Sequence, residues 1–127
     1  QKWRLACLLH DAPEYVIGDM ITPVKAVIGA PYKKIEALLQ NAVHIRFGLP
    51  PELPSGIAHS IKRADRMAAY LEATELAGFS AKDAGKLFPK LRGIPKGIDL
   101  TPLSPEKATR SFLRRFDVLF GRNGPAR

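Results

Sequence analysis

The sequence predicts an all-α protein, a compact array of five to six helices. In several segments apolar residues recur at steps of three and four, which is the spacing of one helix face. No segment alternates apolar and polar residues with the period of two that a half-buried strand requires. At 127 residues the chain is long enough for one domain, which we expect to extend over residues 1–127.

The first predicted helix contains the apolar run from Trp3 to Leu9 and ends near Asp11. Pro13 sets this end, because a proline disfavours helix at the residue before it. Gly and Pro then interrupt residues 14–30, which are predicted to form a loop with a helical turn or two.

Two longer helices are predicted in the middle of the chain. Pro31 suits the first turn of one of them, and its apolar pattern continues to Val43 and stops at Gly48. The next begins near Ser55 and has an apolar stripe at steps of four and three: Ile57, Ile61, Ala64, Ala68 and Leu71. This stripe is expected to cross the core.

Two further helices are predicted from their capping residues. Ser80 and Asp83 have the spacing of an N-cap with an acidic partner, which predicts a short helix to about Phe88. After a loop rich in Pro and Gly, the segment Ser104–Glu106 combines a cap, a first-turn proline and an acidic residue. The last helix starts there and ends before Gly121.

Composition favours a cytoplasmic protein. The single cysteine, Cys7, excludes a disulfide scaffold, and no apolar run approaches the roughly 20 residues of a membrane span. The N-terminus has no signal-peptide pattern. Because the chain opens on Gln1 within an apolar helix, we interpret it as lacking upstream residues.

The positive charge is concentrated in the C-terminal third. From Lys86 onward there are ten Lys and Arg against three Asp and Glu, whereas the preceding part is nearly neutral. Such a segment can attract nucleic acid, nucleotides or an acidic partner surface. It lacks the interleaved aromatic residues of a base-stacking surface, so a solvated basic face is the favoured interpretation and a nucleic-acid partner is disfavoured.

The ionisable cluster after the first helix is the strongest functional signal. His10 and Asp11 are adjacent there, and Glu14 and Asp19 follow. At a helix end the backbone can turn so that an imidazole and a carboxylate converge on one ion. Mixed nitrogen and oxygen ligands suit Mn, Fe, Co, Zn or Mg.

A second acidic residue strengthens the metal hypothesis. Asp65 borders the apolar stripe of the helix that begins near Ser55, and a carboxylate at the edge of a core requires a partner. A metal ion is one such partner, and a salt bridge to a neighbouring Arg is the alternative.

Taken together, these segments resemble the HD-domain metal-dependent phosphohydrolases, and among them the small branch of bacterial 5′-deoxynucleotidases. Residues 8–14, LLHDAPE, are similar to the HD-x-x-E core of that branch, and residues 18–25, GDMITPVK, to the segment that follows it. The helix with Asp65 and the final helix also resemble the branch in order and spacing. The resemblance implies an HD-domain helical array.

The resemblance also implies roles for individual residues. His10, Asp11 and Asp65 correspond to metal ligands, and Glu14 to the catalytic group that orients or deprotonates the attacking water. Two residues are implied in the substrate pocket, Asp19 and Lys25. A divalent metal ion is the only cofactor implied.

One ligand of the family is missing from this sequence, a His upstream of the HD pair. We interpret the gap as truncation rather than degeneration. His44 and His59 are not taken as replacements: both are interpreted as packing or surface histidines. Arg63 and Arg66, which flank Asp65, are interpreted as solvated helix charges.

The sequence therefore predicts a metal-dependent phosphohydrolase that converts nucleoside (deoxy)monophosphates to nucleoside and phosphate through a metal-activated water. The alternative is a degenerate, non-catalytic HD module that binds nucleotide or nucleic acid. The expected partner is a small nucleotide, with no membrane association, and the resemblance leaves a homodimer open.

Overall fold

The computed structural model describes residues 1–121, apart from the side chain of Thr22. Within these residues there are seven α-helices and no strand, which confirms the all-α prediction. The helices are α1 (Lys2–Leu8), α2 (Glu14–Ile17), α3 (Thr22–Ile28), α4 (Ala30–Arg46), α5 (Ser55–Glu75), α6 (Ala81–Leu87) and α7 (Pro105–Phe120).

Two of these helices, α2 and α3, lie where the sequence predicted a loop with helical turns. Gly18, at φ 78°, ends α2 in a conformation that suits glycine. Pro23 then occupies the first turn of α3, where its missing N–H and fixed φ are tolerated. The residues that suggested a loop therefore act as a helix stop and a helix start.

The chain divides into two compact units. Unit 1 contains residues 1–54 and the segment from Thr109 onward, and unit 2 contains residues 55–108. The described part of unit 1 therefore holds α1 to α4 and most of α7, whereas unit 2 holds α5 and α6. The expectation of a single HD-type domain stays a prediction.

The core of unit 1 forms where α1 packs against α7. Leu5, Leu9 and Leu119 are buried, with Leu5 and Leu119 almost fully inaccessible. An aromatic cluster borders this core, in which Phe47 meets Phe116 and Phe120 edge to face at 5.3 Å between ring centroids. These contacts hold the C-terminal end of α1, from which the ionisable cluster follows.

Helix α4 has the extent that the sequence predicted, but its burial differs. Its buried residues are Tyr32 and His44, while Ile35 and Leu38 of the predicted apolar pattern are exposed. The pattern set the helical period correctly without showing which apolar side chains are covered.

Unit 2 is built around α5, which packs against α6. The rings of Tyr70 and Phe88 meet edge to face at 6.3 Å. No residue of α5 is buried, so the expectation that its apolar stripe crosses a core is wrong for this unit. The stripe runs from Ile57 to Leu71 and is therefore longer than α6, which has seven residues.

The N-terminus of α6 is capped as predicted. The Ser80 hydroxyl accepts a hydrogen bond from the backbone N–H of Asp83 at 3.1 Å and donates one to its carboxylate at 2.7 Å. Lys86 also donates to this carboxylate, and both hydrogen bonds hold the pKa of Asp83 below its ordinary value.

Replacing Ser80 with Ala should lower the free energy of unfolding by about 1 kcal/mol, because an N-terminal N–H of α6 loses its acceptor. Urea denaturation measures the change. The control is Ser60→Ala in α5, where the hydroxyl only donates to the carbonyl of Gly56. That variant should stay within about 0.5 kcal/mol of the wild type, and an equal loss in both variants would contradict the capping role.

Among residues 1–121, no helix combines the length and the apolar character needed to cross a membrane.

Candidate metal centre and its pocket

The turn between α1 and α2 brings the ionisable residues together. Helix α1 ends at Leu8, and turn hydrogen bonds run from the N–H of Ala12 to the carbonyl of Leu9 at 3.2 Å and from the N–H of Glu14 to that of Asp11 at 2.9 Å. The backbone therefore folds back on itself at the HD pair. Adjacent side chains, which would diverge by about 100° within a helix, converge here.

The His10 ring is oriented by the backbone of α1. Its Nδ1 lies 2.9 Å from the carbonyl oxygen of Cys7. Because a carbonyl can only accept, Nδ1 carries the proton in this contact and Nε2 presents its lone pair. A backbone acceptor on the second ring nitrogen is the usual way in which proteins orient a metal-binding histidine.

The two donor atoms of the HD pair lie close together. The distance from His10 Nε2 to Asp11 Oδ2 is 3.1 Å, and the Asp11 side chain is 60% exposed. Two ligand atoms that are each about 2.1 Å from one ion and at right angles to each other are about 3.0 Å apart. This His/Asp group could therefore hold a divalent metal ion.

Asp65 lies in unit 2, in the middle of α5, and its side chain is exposed. The sequence placed it beside a buried stripe, but the neighbouring Ala64 is exposed as well. The role of Asp65 as a metal ligand stays a prediction.

A pocket of about 280 Å³ opens beside the HD pair within unit 1. One face of α4 forms its far wall, because residues at steps of three and four lie on the same side of a helix. Its lining residues are His10, Asp11, Pro13, Glu14, Lys33, Glu36, Ala37 and Gln40. The lining therefore contains acidic and basic side chains.

Glu14 is the first residue of α2 and lines this pocket next to the HD pair. Its Oε1 accepts a hydrogen bond from Lys25 Nζ at 3.4 Å, and its side chain is 25% exposed. The carboxylate is therefore held in position while it remains accessible from the pocket.

Lys25 lies between two carboxylates, at 3.4 Å from both Glu14 Oε1 and Glu36 Oε1. Its Nζ also lies 5.5 Å from the centre of the Tyr32 ring. Partial burial acts to lower the pKa of Lys25, but the charge of Glu36 and the hydrogen bond to Glu14 outweigh it, so the pKa is raised above its ordinary value of 10.5.

The two residues assigned to substrate binding do not line this pocket. Asp19 is exposed in the loop after α2. Lys25 contacts two carboxylates of the pocket, those of Glu14 and Glu36, without lining the pocket itself. Their role in binding substrate stays a prediction.

The raised pKa of Lys25 has a consequence for stability. Its ammonium stabilises the fold fully below pH 10.5, and this contribution is lost as the pH rises through the folded-state value. We therefore expect the free energy of unfolding to fall more steeply above about pH 10.5 in the wild type than in Lys25→Gln. Denaturation across this range tests it, with Lys34→Gln, at an exposed residue of α4, as the control. Parallel curves for the wild type and Lys25→Gln would contradict the expectation.

A hydrogen-bond network of Gln40 and the buried His44 joins α4 to the end of α1. His44, only 4% exposed, lies with Nδ1 2.8 Å from the carbonyl of Pro51 and with Nε2 2.8 Å from Gln40 Nε2. The Gln40 amide also donates to the carbonyl of Leu9 at 3.2 Å. The interpretation of His44 as a packing histidine is confirmed. The hydrogen-bond network also fixes the backbone immediately before His10.

Replacing Gln40 with Leu should lower the free energy of unfolding by about 2 kcal/mol, because it leaves a buried imidazole nitrogen and the carbonyl of Leu9 without their donor. Chemical denaturation measures this loss. Lys34→Leu, on the same helix at an exposed position, should change the stability by less than about 0.5 kcal/mol. Wild-type stability in Gln40→Leu would show that the hydrogen-bond network does not brace the turn at the HD pair.

The sequence analysis missed three polar residues of this pocket, Lys33, Glu36 and Gln40. They lie on the face of α4 that lines the pocket opposite the HD turn, residues 9–14. Their signal was the polar spacing of Lys33, Glu36 and Gln40, which is that of a single helix face. A polar face is also what a solvated helix shows, so the spacing alone does not identify a site.

Comparison with known proteins links the chain to nucleotidases over part of its length. It is 48% identical over 120 residues to an uncharacterized protein of Rhodobacter capsulatus and 30% identical over 121 residues to the uncharacterized protein YfdR of Escherichia coli K12. It is 40% identical over 91 residues to a 5′-deoxynucleotidase of Erwinia tasmaniensis. No family model matches the chain.

These similarities differ in extent. The first two relatives match 94% of this chain, and the nucleotidase matches 59% of it. The chain spans 61% and 63% of the length of the first two relatives and 45% of the nucleotidase. The partial similarity supports a relationship to nucleotide phosphohydrolases.

Proposed function

We propose that the chain belongs to a metal-dependent phosphohydrolase of the HD type that releases phosphate from nucleoside monophosphates. The observation that supports it most is the convergence of His10 Nε2 and Asp11 Oδ2, 3.1 Å apart, at a pocket that Glu14 also lines. Water-mediated phosphate hydrolysis requires a metal-ligand pair and a further carboxylate that can accept a proton, and both line this pocket.

The proposed metal ligands are His10, Asp11 and Asp65. One imidazole and two carboxylates form a donor set that suits Mn, Co, Mg, Fe or Zn. A divalent ion held by them would neutralise phosphate oxygens and make a water molecule more acidic. The protein itself orients these ligands. The carbonyl of Cys7 fixes the His10 ring, and the hydrogen-bond network of Gln40 and His44 braces the turn that carries the HD pair.

Glu14 is the proposed catalytic residue, which orients the attacking water and accepts its proton. Lys25 supports this role, because its hydrogen bond at 3.4 Å limits the positions that the carboxylate can take. A general base must lie within hydrogen-bond reach of its water, and a fixed carboxylate at the pocket wall meets that condition.

The substrate class is inferred from charge and from the relatives. Lys33 adds a positive charge to the pocket wall, where it can meet a phosphate group. Asp19 and Lys25, which do not line the pocket, are proposed as further substrate-binding residues. The similar Erwinia protein is a 5′-deoxynucleotidase, and we extend that substrate class, a 5′-deoxynucleotide, to this chain.

Phosphate release from a panel of ribo- and deoxyribonucleoside monophosphates tests the proposal, with the full-length protein and with Mn, Co or Mg added in turn. We expect release that depends on the metal and stops on chelation. Folded protein that binds nucleotide but releases no phosphate with any metal would favour the non-catalytic module instead.

A further inference from the structure

A cationic pocket in unit 2 has no part in the proposed reaction. It measures about 420 Å³, a size typical of small-molecule sites. Its lining residues are His59, Lys62, Arg63, Arg66, Lys90 and Leu91, of which none is acidic. It shares no residue with the pocket beside the HD pair.

Helix α5 supplies most of this pocket from one face. His59, Lys62, Arg63 and Arg66 follow one another at steps of three, one and three, which gathers them on one side of the helix. The opposite wall is the segment after α6, where Lys90 adopts a φ of 66°. A lysine in this left-handed region is uncommon, and such backbone conformations concentrate at functional sites.

The two arginines are held in place without losing their charge. Arg63 Nη2 donates to the carbonyl of Arg92 at 2.7 Å, and Arg66 Nη2 donates to the carbonyl of Pro89 at 3.1 Å. A carbonyl fixes the guanidinium but does not neutralise it. Each arginine therefore keeps its positive charge and further N–H donors for an anion.

We propose that this pocket binds the polyphosphate chain of a nucleoside di- or triphosphate, or free polyphosphate. A single phosphomonoester carries a charge of about −1.5 to −2 near neutral pH. Four cationic side chains, those of Lys62, Arg63, Arg66 and Lys90, exceed that charge about twofold. Two or three linked phosphates match it, and planar guanidinium groups bind phosphate oxygens in pairs.

The test uses two lysines that leave the arginine–carbonyl contacts intact. Isothermal titration is carried out at low salt on protein stripped of metal and dialysed, with tripolyphosphate, ATP and adenosine as probes. We expect tripolyphosphate and ATP to bind with one-to-one stoichiometry and adenosine not to bind. In Lys62→Gln with Lys90→Gln, the Kd for both anions should rise at least about tenfold. ATP binding much tighter than tripolyphosphate would identify a nucleotide as the source, and equal affinities free polyphosphate.

The matched control removes two charges elsewhere, in Lys107→Gln with Arg110→Gln at exposed positions of α7. This variant has the same net charge as Lys62→Gln with Lys90→Gln, and it should bind both anions as the wild type does. An equal loss in both double variants, or no saturable binding, would overturn the proposal. So would a single-stranded oligonucleotide that displaces tripolyphosphate and binds more tightly than it does, because the pocket would then serve nucleic acid. Circular dichroism establishes that both variants are folded.

Discussion

Asp65→Ala is expected to abolish metal-dependent phosphate release. Asp65 is one of the three proposed ligands, so its removal should lower the metal affinity by at least about tenfold. Phosphate release and metal titration on the same preparation measure both effects.

The control for Asp65 is Glu72→Ala, which removes an exposed carboxylate from the same helix, α5. It should retain wild-type turnover and metal affinity. Wild-type metal binding in Asp65→Ala would remove Asp65 from the ligand set, whereas metal-independent turnover in the wild type would refute the metal mechanism as a whole.

Glu14→Gln should separate catalysis from metal binding. The amide can still accept a hydrogen bond from Lys25, but it cannot take a proton from water. We therefore expect kcat to fall by about 10²- to 10⁴-fold while the metal stays bound. Steady-state phosphate release and metal titration check the two parts.

Glu36→Gln provides a close control for this change. Glu36 lines the same pocket and accepts from the same Lys25 Nζ, also at 3.4 Å. Most of the turnover should survive in this variant. Loss of metal in Glu14→Gln would make Glu14 a ligand instead, and an equal loss of turnover in both variants would contradict a special role for Glu14.

Local sequence signals located the starts of several helices well. Prolines and serines start α4, α6 and α7 within one residue of the predicted positions, and the caps act through neighbouring atoms alone. The prediction of a loop over residues 14–30 missed α2 and α3. In the sequence, a glycine and a proline within a loop cannot be distinguished from a glycine that ends one short helix and a proline that begins the next. Only the packed structure distinguishes the two cases.

The sequence by itself determined the helical class, the starts of α4 to α7 and the presence of an HD pair after a helix end, because these depend on residues a few positions apart. Tertiary structure decided which apolar side chains are covered: Ile35 is exposed, although its spacing matches that of a core residue. It also decided that Lys25 meets Glu14 and Glu36, that Gln40 braces the HD turn and that Lys90 faces the arginines of α5. These contacts join residues far apart in the chain, and no local pattern specifies their distances.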